Sequence, residues 1–241
     1  MKQYDAIIIG FGKGGKLLAT ELANRNWKVA VIERSPEMYG GTCINAGCIP
    51  TKTMITESEF AERVYQNDYN KQSKLYALAL KRKDKLVTFL REKNVENLTR
   101  NPNITLYDGT ASFICPDTVK VIPSPEKEEA AFELSAKEIF INTGSTPILP
   151  AIDGLKNNRY VYTSETLLHA DILPHHLLII GSGAIGLEFA TMYAGFGSKV
   201  TILEAGKRFL PKADREIAEY ILESLKRKNI EVRLNARIQS L

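Results

Sequence analysis

At 241 residues, 44% of them hydrophobic and 25% charged, the chain has the composition of a folded protein of one or two domains, not of a disordered one. Its 32 basic and 28 acidic residues are interspersed, leave a formal net charge of +4, and form no basic, aromatic-interleaved patch of the kind that binds nucleic acid. The N-terminal apolar run is too short for a signal peptide and no stretch approaches the roughly 20 apolar residues of a membrane span, which leaves the cytoplasm by elimination. Three cysteines are too few for a secreted disulfide scaffold, so a close pair of them points to catalysis or metal binding.

In chain order, residues 4 to 10 form an apolar run ending in Gly10-Phe11-Gly12-Lys13-Gly14-Gly15. A helix-like stretch to about Asn26 follows, then a second apolar run, 28 to 32, closed by Glu33. Strand, glycine turn, helix and a strand with a terminal carboxylate is the layout of a dinucleotide-binding βαβ unit. Gly10 suits the tight turn, Gly12 the approach of a pyrophosphate to the backbone, and Gly15 the close packing of helix on strand. The helix N-terminus would hold the pyrophosphate, and Glu33 would accept a hydrogen bond from a ribose hydroxyl.

Next comes Gly40-Gly41-Thr42-Cys43-Ile44-Asn45-Ala46-Gly47-Cys48-Ile49-Pro50-Thr51-Lys52, the most specific segment of the chain. Two residues five apart on a regular helix are separated by a rise of about 7.5 Å and a turn of about 140°, beyond the roughly 7 Å Cα–Cα limit of a disulfide. If Cys43 and Cys48 are bridged, the backbone between them must be distorted. Gly47 permits a bend and Pro50 a fresh helix start, which would set Cys48 near a helix N-terminus, where the dipole favours a thiolate. A zinc site and two buried free thiols are the competing readings. The zinc site is disfavoured because Cys115, His169, His175 and His176 supply no second pair at ligand spacing.

Residues 57 to 100 read as helical, with Leu75, Leu78, Leu86, Phe89 and Leu90 on an apolar stripe that belongs in a core and many basic residues on a solvated face. Residues 104 to 141 read as the short strands of a small β-meander, with turn signals at Asp108-Gly109 and Pro123-Ser124-Pro125. The last of these strands runs into Asn142-Thr143-Gly144, and Pro147, Pro150 and Gly154 mark a crossover between domains spanning 1–150 and 151–241. A second nucleotide unit follows: the run 177–180, Gly181-Ser182-Gly183-Ala184-Ile185-Gly186, a helix, and the run 199–203 closed by Glu204. One offset of 171 residues maps Gly10 to Gly181, Gly12 to Gly183, Gly15 to Gly186 and Glu33 to Glu204 without a gap. The expected fold class is α/β with two Rossmann-like dinucleotide-binding domains, the second incomplete, since the chain stops soon after the strand-like residues 230–235.

The cysteine segment resembles the active-site signature of the class I pyridine nucleotide-disulfide oxidoreductases, the flavoprotein family of lipoamide dehydrogenase, glutathione reductase and mercuric reductase. The order of motifs along the whole chain is similar too. The Met38-Tyr39-Gly40 lead-in and Pro50-Thr51-Lys52 are most similar to the bacterial reactive-chlorine-resistance branch, which acts as copper(II) reductases. The resemblance implies FAD held by Gly10, Gly12, Gly15, Glu33, Gly41, Thr42, Lys52, Ala111, Thr143 and Gly144. It implies NADH, in preference to NADPH, held by Gly181, Gly183, Ile185, Gly186 and Glu204. Glu204 would repel the 2′-phosphate of NADPH, and Ala205 and Pro211 stand where NADPH-using members carry arginines.

The resemblance also makes Cys43 the thiol that exchanges with substrate, Cys48 the thiol against the flavin, and Lys52 with Glu188 a buried ion pair that tunes it. Electrons would pass from NAD(P)H through FAD to the Cys43–Cys48 disulfide and on to a small-molecule disulfide or a metal ion, with no metal held as a cofactor. Full-length members are homodimers with a further Gly-Asp motif and a C-terminal dimerisation domain. This sequence has no Gly-Asp dipeptide, so the resemblance implies an N-terminal portion with weak turnover. A nucleotide-binding remnant without turnover and a thiol redox sensor are the alternatives from other classes.

Overall fold

The computed structural model describes residues 1–66, 68–125 and 127–241. They form two compact units, Met1–Ile49 with Lys85–Thr146, and Pro50–Asp84 with Pro147–Leu241. The helical segment before Lys85 thus packs with the second unit, although in sequence it interrupts the first. The helices of the first 100 residues are α1 (Lys13–Asn24), α2 (Thr42–Asn45), α3 (Cys48–Val64) and α4 (Tyr69–Thr99).

In the first unit, β1 (Lys2–Ile9) and β2 (Val29–Glu33) flank α1 and run parallel, Ala6 paired with Val29 and Ile9 with Ile32. Strand alternation decides the layers. Ala6, Ile8, Val29 and Val31 pack with Ala19 and Ala23 of α1 and Leu98 of α4, whereas Ile7, Ala30 and Ile32 join Val119, Val121, Leu134 and Ala136. β2 is buried along its whole length, as a parallel strand covered on both faces must be.

β3 (Ile104–Cys115), β4 (Thr118–Pro123) and β5 (Phe132–Ile141) follow, and β5 returns to pair with β1, closing the sheet into a barrel. The meander is present, but its outer strands extend beyond it. β3 runs parallel to β2 as far as Asp108 and antiparallel to β4 from Gly109. The Asp108-Gly109 signal is therefore no turn; it marks where one strand changes partner. A Cβ at Gly109 would lie 2.5 Å from the Ile122 carbonyl oxygen, so the β4 backbone comes too close for any other residue. Pro123 ends β4, where the sequence placed a turn.

The second unit contains β6 (His176–Ile180), α5 (Ala184–Gly195), β7 (Lys199–Leu203), α6 (Arg215–Arg227) and β8 (Glu231–Arg233). Its parallel sheet has the order β6-β7-β8. Among the described residues the far edge of β6 pairs with no strand, and Leu178 and Ile180 on it are exposed. The offset of 171 residues read from the sequence holds in three dimensions: Leu177 pairs with Val200 and Ile180 with Leu203, the register of β1 and β2. Gly10 N–H donates to the Ile32 carbonyl at 2.7 Å and Gly181 N–H to the Leu203 carbonyl at 2.8 Å. The fold is α/β with two Rossmann-like units.

The apolar stripe of α4 needs correction. Leu78, Leu86 and Phe89 are exposed, and the buried face is Gln72, Tyr76, Ala79, Lys83 and Val87. Three polar side chains on that face find acceptors: Gln72 Nε2 donates to the Gly195 carbonyl, Tyr76 OH to Ala170 and Lys83 Nζ to Leu168 at 2.7 Å. Hydrophobic spacing cannot register a polar group whose burial is compensated by a distant carbonyl.

Candidate active site

Both glycine turns have the expected geometry. Gly10 and Gly181 take φ of 109° and 98°, where a side chain is strained. A Cβ on Gly15 would stand 2.4 Å from the Gly10 carbonyl oxygen, and one on Gly186 2.7 Å from that of Gly181. Helices α1 and α5 start at glycine N-caps, with no side-chain cap and no acid in the first turn. Their N-terminal N–H groups and helix dipoles therefore suit an external anion such as a pyrophosphate. A Cβ on Gly183 would meet nothing within 4 Å among the described residues, so the α5 approach is open.

The two acids do more than sequence implied. Glu33 accepts from Phe11 N–H at 2.8 Å and from Ser35 N–H at 3.2 Å. Glu204 accepts from Ser182 N–H at 3.0 Å, the Ser182 hydroxyl at 2.6 Å and Gly206 N–H at 2.7 Å. Phe11 and Ser182 occupy one position under the offset, so each carboxylate braces its own glycine turn. An ionised carboxylate has about four acceptor sites, which leaves capacity for a ribose hydroxyl.

These hydrogen bonds, that of the Ser182 hydroxyl foremost, hold the Glu204 pKa below the ordinary carboxylate range. A depressed folded-state pKa contributes stability above the unfolded value, and that contribution is lost as pH falls through the folded one. Between about pH 6 and about pH 3 the urea midpoint of the native protein should therefore fall further than that of Glu204→Gln, and parallel falls would show that the brace carries no charge-dependent stability.

In the cysteine segment, α2 holds Cys43 and ends at Asn45, Ala46 and Gly47 interrupt the helix, and α3 begins at Cys48. The regular helix that would keep the pair apart is not formed. A Cβ on Gly47 would lie 3.0 Å from the Thr42 carbonyl oxygen and 3.5 Å from Cys43 Cα, so the chain folds back on itself between the two cysteines. Cys43, Cys48 and Cys115 are free thiols. The neighbouring Cys48 thiol, then burial, push the Cys43 pKa up, while Lys13 pulls it down. Cys48 opens α3, with Pro50 in the first turn, at the positive end of that helix dipole.

Residues that the sequence reading passed over pin this segment. Asn45 is 4% exposed and donates to the carbonyls of Tyr39 and Gly41 at 2.9 Å each, while Arg91 Nε donates to its Oδ1 at 2.9 Å. Asn142 N–H donates to the Ile9 carbonyl at 2.8 Å, and its side chain lies against Gly12, Gly14 and Gly15 and donates to the Gly10 carbonyl at 3.2 Å. Adjacency to a motif was a signal for both asparagines. Arg91, in a lysine- and arginine-rich helix, offered none.

The remaining candidates are placed as follows. Thr143 N lies 3.3 Å from the position of a Cβ on Gly10, and Gly144, at φ 72°, faces open space. Thr42 opens α2, and Ala111 lies in β3 opposite Val121, against the apolar cluster inside the barrel. Ile185 is exposed in the first turn of α5. Lys52 and Glu188, both in the second unit, form an ion pair, but not the buried one expected: their side chains are 62% and 40% exposed. The core of that unit takes Met54 and Ala61 from α3 and Phe189, Ala190 and Tyr193 from α5, and leaves these two outside it. A pair so exposed contributes about 1 kcal/mol at most. Among the described residues no three His, Cys, Asp or Glu side chains gather as a metal site, and no helix is long and apolar enough to cross a membrane.

The family model for pyridine nucleotide-disulphide oxidoreductases matches residues 4–241. The chain is 45% identical over its whole length to the probable pyridine nucleotide-disulfide oxidoreductase RclA of Escherichia coli strain K12, and spans 51% of that protein. It is 35% identical to a mercuric reductase of Lysinibacillus sphaericus, over 92% of this chain and 40% of the relative. With the dihydrolipoyl dehydrogenase of Acholeplasma laidlawii the identity is 33%, over 100% of this chain and 71% of the relative. Among solved structures, the copper(II) complex of a cysteine-to-serine mutant of the HOCl-induced flavoprotein disulfide reductase RclA from Escherichia coli matches with a TM-score of 0.89 at 45% identity, covering 100% of this chain and 51% of that one. With a doubled nucleotide-binding turn, a cysteine pair folded back on itself and a family match from residue 4 to residue 241, the chain belongs to the pyridine nucleotide-disulfide oxidoreductase family.

Proposed function

We propose that this protein is an FAD-dependent oxidoreductase that takes electrons from NADH and delivers them through Cys43 and Cys48 to a disulfide or metal-ion substrate. The observation that carries this reading is the folded-back cysteine segment packed on a glycine turn of the nucleotide-binding type. A Cβ on Gly41 would lie 2.6 Å from Gly12 Cα, so the cysteine segment rests on the backbone of the first glycine turn. The uncapped α1 N-terminus and the open space at Gly144 fit a bound dinucleotide.

FAD, when bound, supplies a two-electron carrier that a nicotinamide can reduce and a disulfide can oxidise. Gly10, Gly12, Gly15 and the α1 N-terminus would hold its pyrophosphate and Glu33 its ribose, with Gly41, Thr42, Ala111, Thr143 and Gly144 lining the rest. Lys52, one turn beyond Cys48 along α3, would sit by the ring system with Glu188 holding its ammonium. Cys48 would be the thiol against the flavin, and Cys43 would exchange with substrate. The RclA structure is a copper(II) complex and another relative is named a mercuric reductase, so metal ions stand beside disulfides as candidate acceptors.

Gly181, Gly183, Ile185, Gly186 and Glu204 would hold the nicotinamide dinucleotide, with the Glu204 carboxylate opposing a 2′-phosphate. NADH should therefore be preferred to NADPH. Glu204→Gln keeps the shape and one of the two acceptor oxygens but removes the charge, and should narrow the ratio of kcat/KM values about tenfold, ~1.4 kcal/mol. An unchanged ratio would remove Glu204 from nucleotide selection.

The functional test is flavin absorbance of the purified protein together with NADH oxidation, using a disulfide and copper(II) as alternative acceptors. Bound flavin with no NADH oxidation would favour a nucleotide-binding protein without turnover. Absence of flavin with a reversible Cys43–Cys48 disulfide would favour a thiol sensor.

A further inference from the structure

One face of α4 reaches the cysteine segment with two side chains three residues apart, Arg91 and Asn94. The Asn94 side chain lies against Gly40, where a Cβ would be 3.2 Å from its Cγ, and it is held there by donating to the Leu90 carbonyl at 2.6 Å. Arg91 is half-buried, and among the described residues it pairs with no carboxylate; its Nε donates instead to Asn45 Oδ1 at 2.9 Å. Asn45 Nδ2 donates to the carbonyls of Tyr39 and Gly41 at 2.9 Å each, so both donors of that buried amide are engaged and its oxygen accepts from a cation. These bonds grip α2 from before its first residue to its last. Helix α2, which carries Cys43, spans only Thr42–Asn45, far too short to keep its shape by its own backbone hydrogen bonds.

We propose that Arg91 is a positioning residue: through Asn45 it holds α2 where Cys43 can close on Cys48, and so sets the reduction potential of the pair and the speed with which Cys48 releases substrate from Cys43. The Cys43 thiolate first attacks the substrate disulfide, one half leaves as a thiolate and the other stays on Cys43 as a mixed disulfide. The Cys48 thiolate then attacks the Cys43 sulfur, the Cys43–substrate bond breaks, the Cys43–Cys48 bond forms and the second half leaves as a thiolate. Two electrons pass from the cysteines to the substrate, and the two thiol protons go to solvent or to the released thiolates. The second step is a ring closure within one chain. Its rate and equilibrium rise with the effective concentration of one cysteine at the other, which a restrained α2 raises.

This proposal rests on the reading that Cys43 and Cys48 form a redox pair, and its test needs no nicotinamide. The protein carrying Cys115→Ser is equilibrated in glutathione buffers of graded ratio, and its thiols are counted by alkylation and mass spectrometry. Arg91→Met should shift the equilibrium about tenfold towards the dithiol, a rise of ~30 mV, and slow release of glutathione from the mixed disulfide by a similar factor. Arg91→Lys should recover most of both, since lysine Nζ stands one bond beyond the Nε position and can donate to Asn45. In an Asn45→Ala background, Arg91→Met should add little to either effect. A merely structural role would lower the urea midpoints of the dithiol and disulfide forms equally and leave the glutathione equilibrium unmoved, which would overturn the proposal while the electron-transfer reading stands. So would a full effect of Arg91→Met in the Asn45→Ala background, or no recovery with lysine. If the unsubstituted protein forms no Cys43–Cys48 bridge at any ratio, that reading fails and the proposal fails with it.

Discussion

Cys48→Ser should lower NADH-driven disulfide reduction by about a thousandfold or more, as expected when a covalent redox nucleophile is lost, while nucleotide binding is retained. The thiolate is the reactive form, and a serine hydroxyl neither ionises near neutral pH nor forms a bridge with Cys43. Cys43 alone could still form a mixed disulfide but would have no partner within reach to resolve it. The fold should tolerate the change, because Cys48 is exposed and opens α3, a position where serine is well suited. Circular dichroism and NADH titration check that half of the claim. Retention of more than about a tenth of the native disulfide turnover would show that electrons reach the substrate without the pair. Copper(II) reduction by the same variant measures how far a metal acceptor depends on exchange at Cys43.

Gly15→Ala and Gly186→Ala should each destabilise their own unit by about 2–4 kcal/mol, whereas Gly183→Ala should stay within about 0.5 kcal/mol of the native protein. Gly15 and Gly186 hold the packing position of the motif and Gly183 the position that faces a pyrophosphate, and they differ in what a methyl group would meet. At Gly15 it would lie 2.4 Å from the Gly10 carbonyl oxygen and 3.1 Å from Ile8 Cγ2; at Gly186, 2.7 Å from the Gly181 oxygen and 3.2 Å from Ile179 Cγ2. Either contact forces helix and strand apart along the seam that defines the βαβ unit. At Gly183, φ is −73° and the space around a Cβ is open among the described residues, so alanine fits and removes freedom from the unfolded chain. Urea unfolding is the measurement. Fluorescence of Trp27, packed against the α1 face of the first sheet, reports on the first unit, and circular dichroism on both. Equal effects of Gly183→Ala and Gly186→Ala would mean that close helix–strand packing does not set the identity of the third glycine.

The duplicated unit was legible from sequence as one gapless offset, because the determinants are local: an apolar run, a turn that only glycine can make, a helix and a second run. The break in the cysteine segment was legible for a similar reason, since the geometry of a regular helix excludes a close pair five residues apart and Gly47 supplies the bend. The α4 stripe was misread because its buried face is chosen by the carbonyls of Gly195, Ala170 and Leu168, about a hundred residues away in sequence.

Sequence alone therefore determined the α/β class, the two nucleotide-binding turns and the site of the cysteine pair, all of them set by patterns a few residues long. The tertiary structure decided what no short pattern contains. It used Glu33 and Glu204 to brace their glycine turns, placed Asn142 against the first turn, pinned Asn45 with Arg91, and left Lys52 and Glu188 exposed. Each of these depends on a contact between distant parts of the chain, where a donor, a carbonyl or a missing Cβ acquires meaning only from the neighbour that folding brings to it.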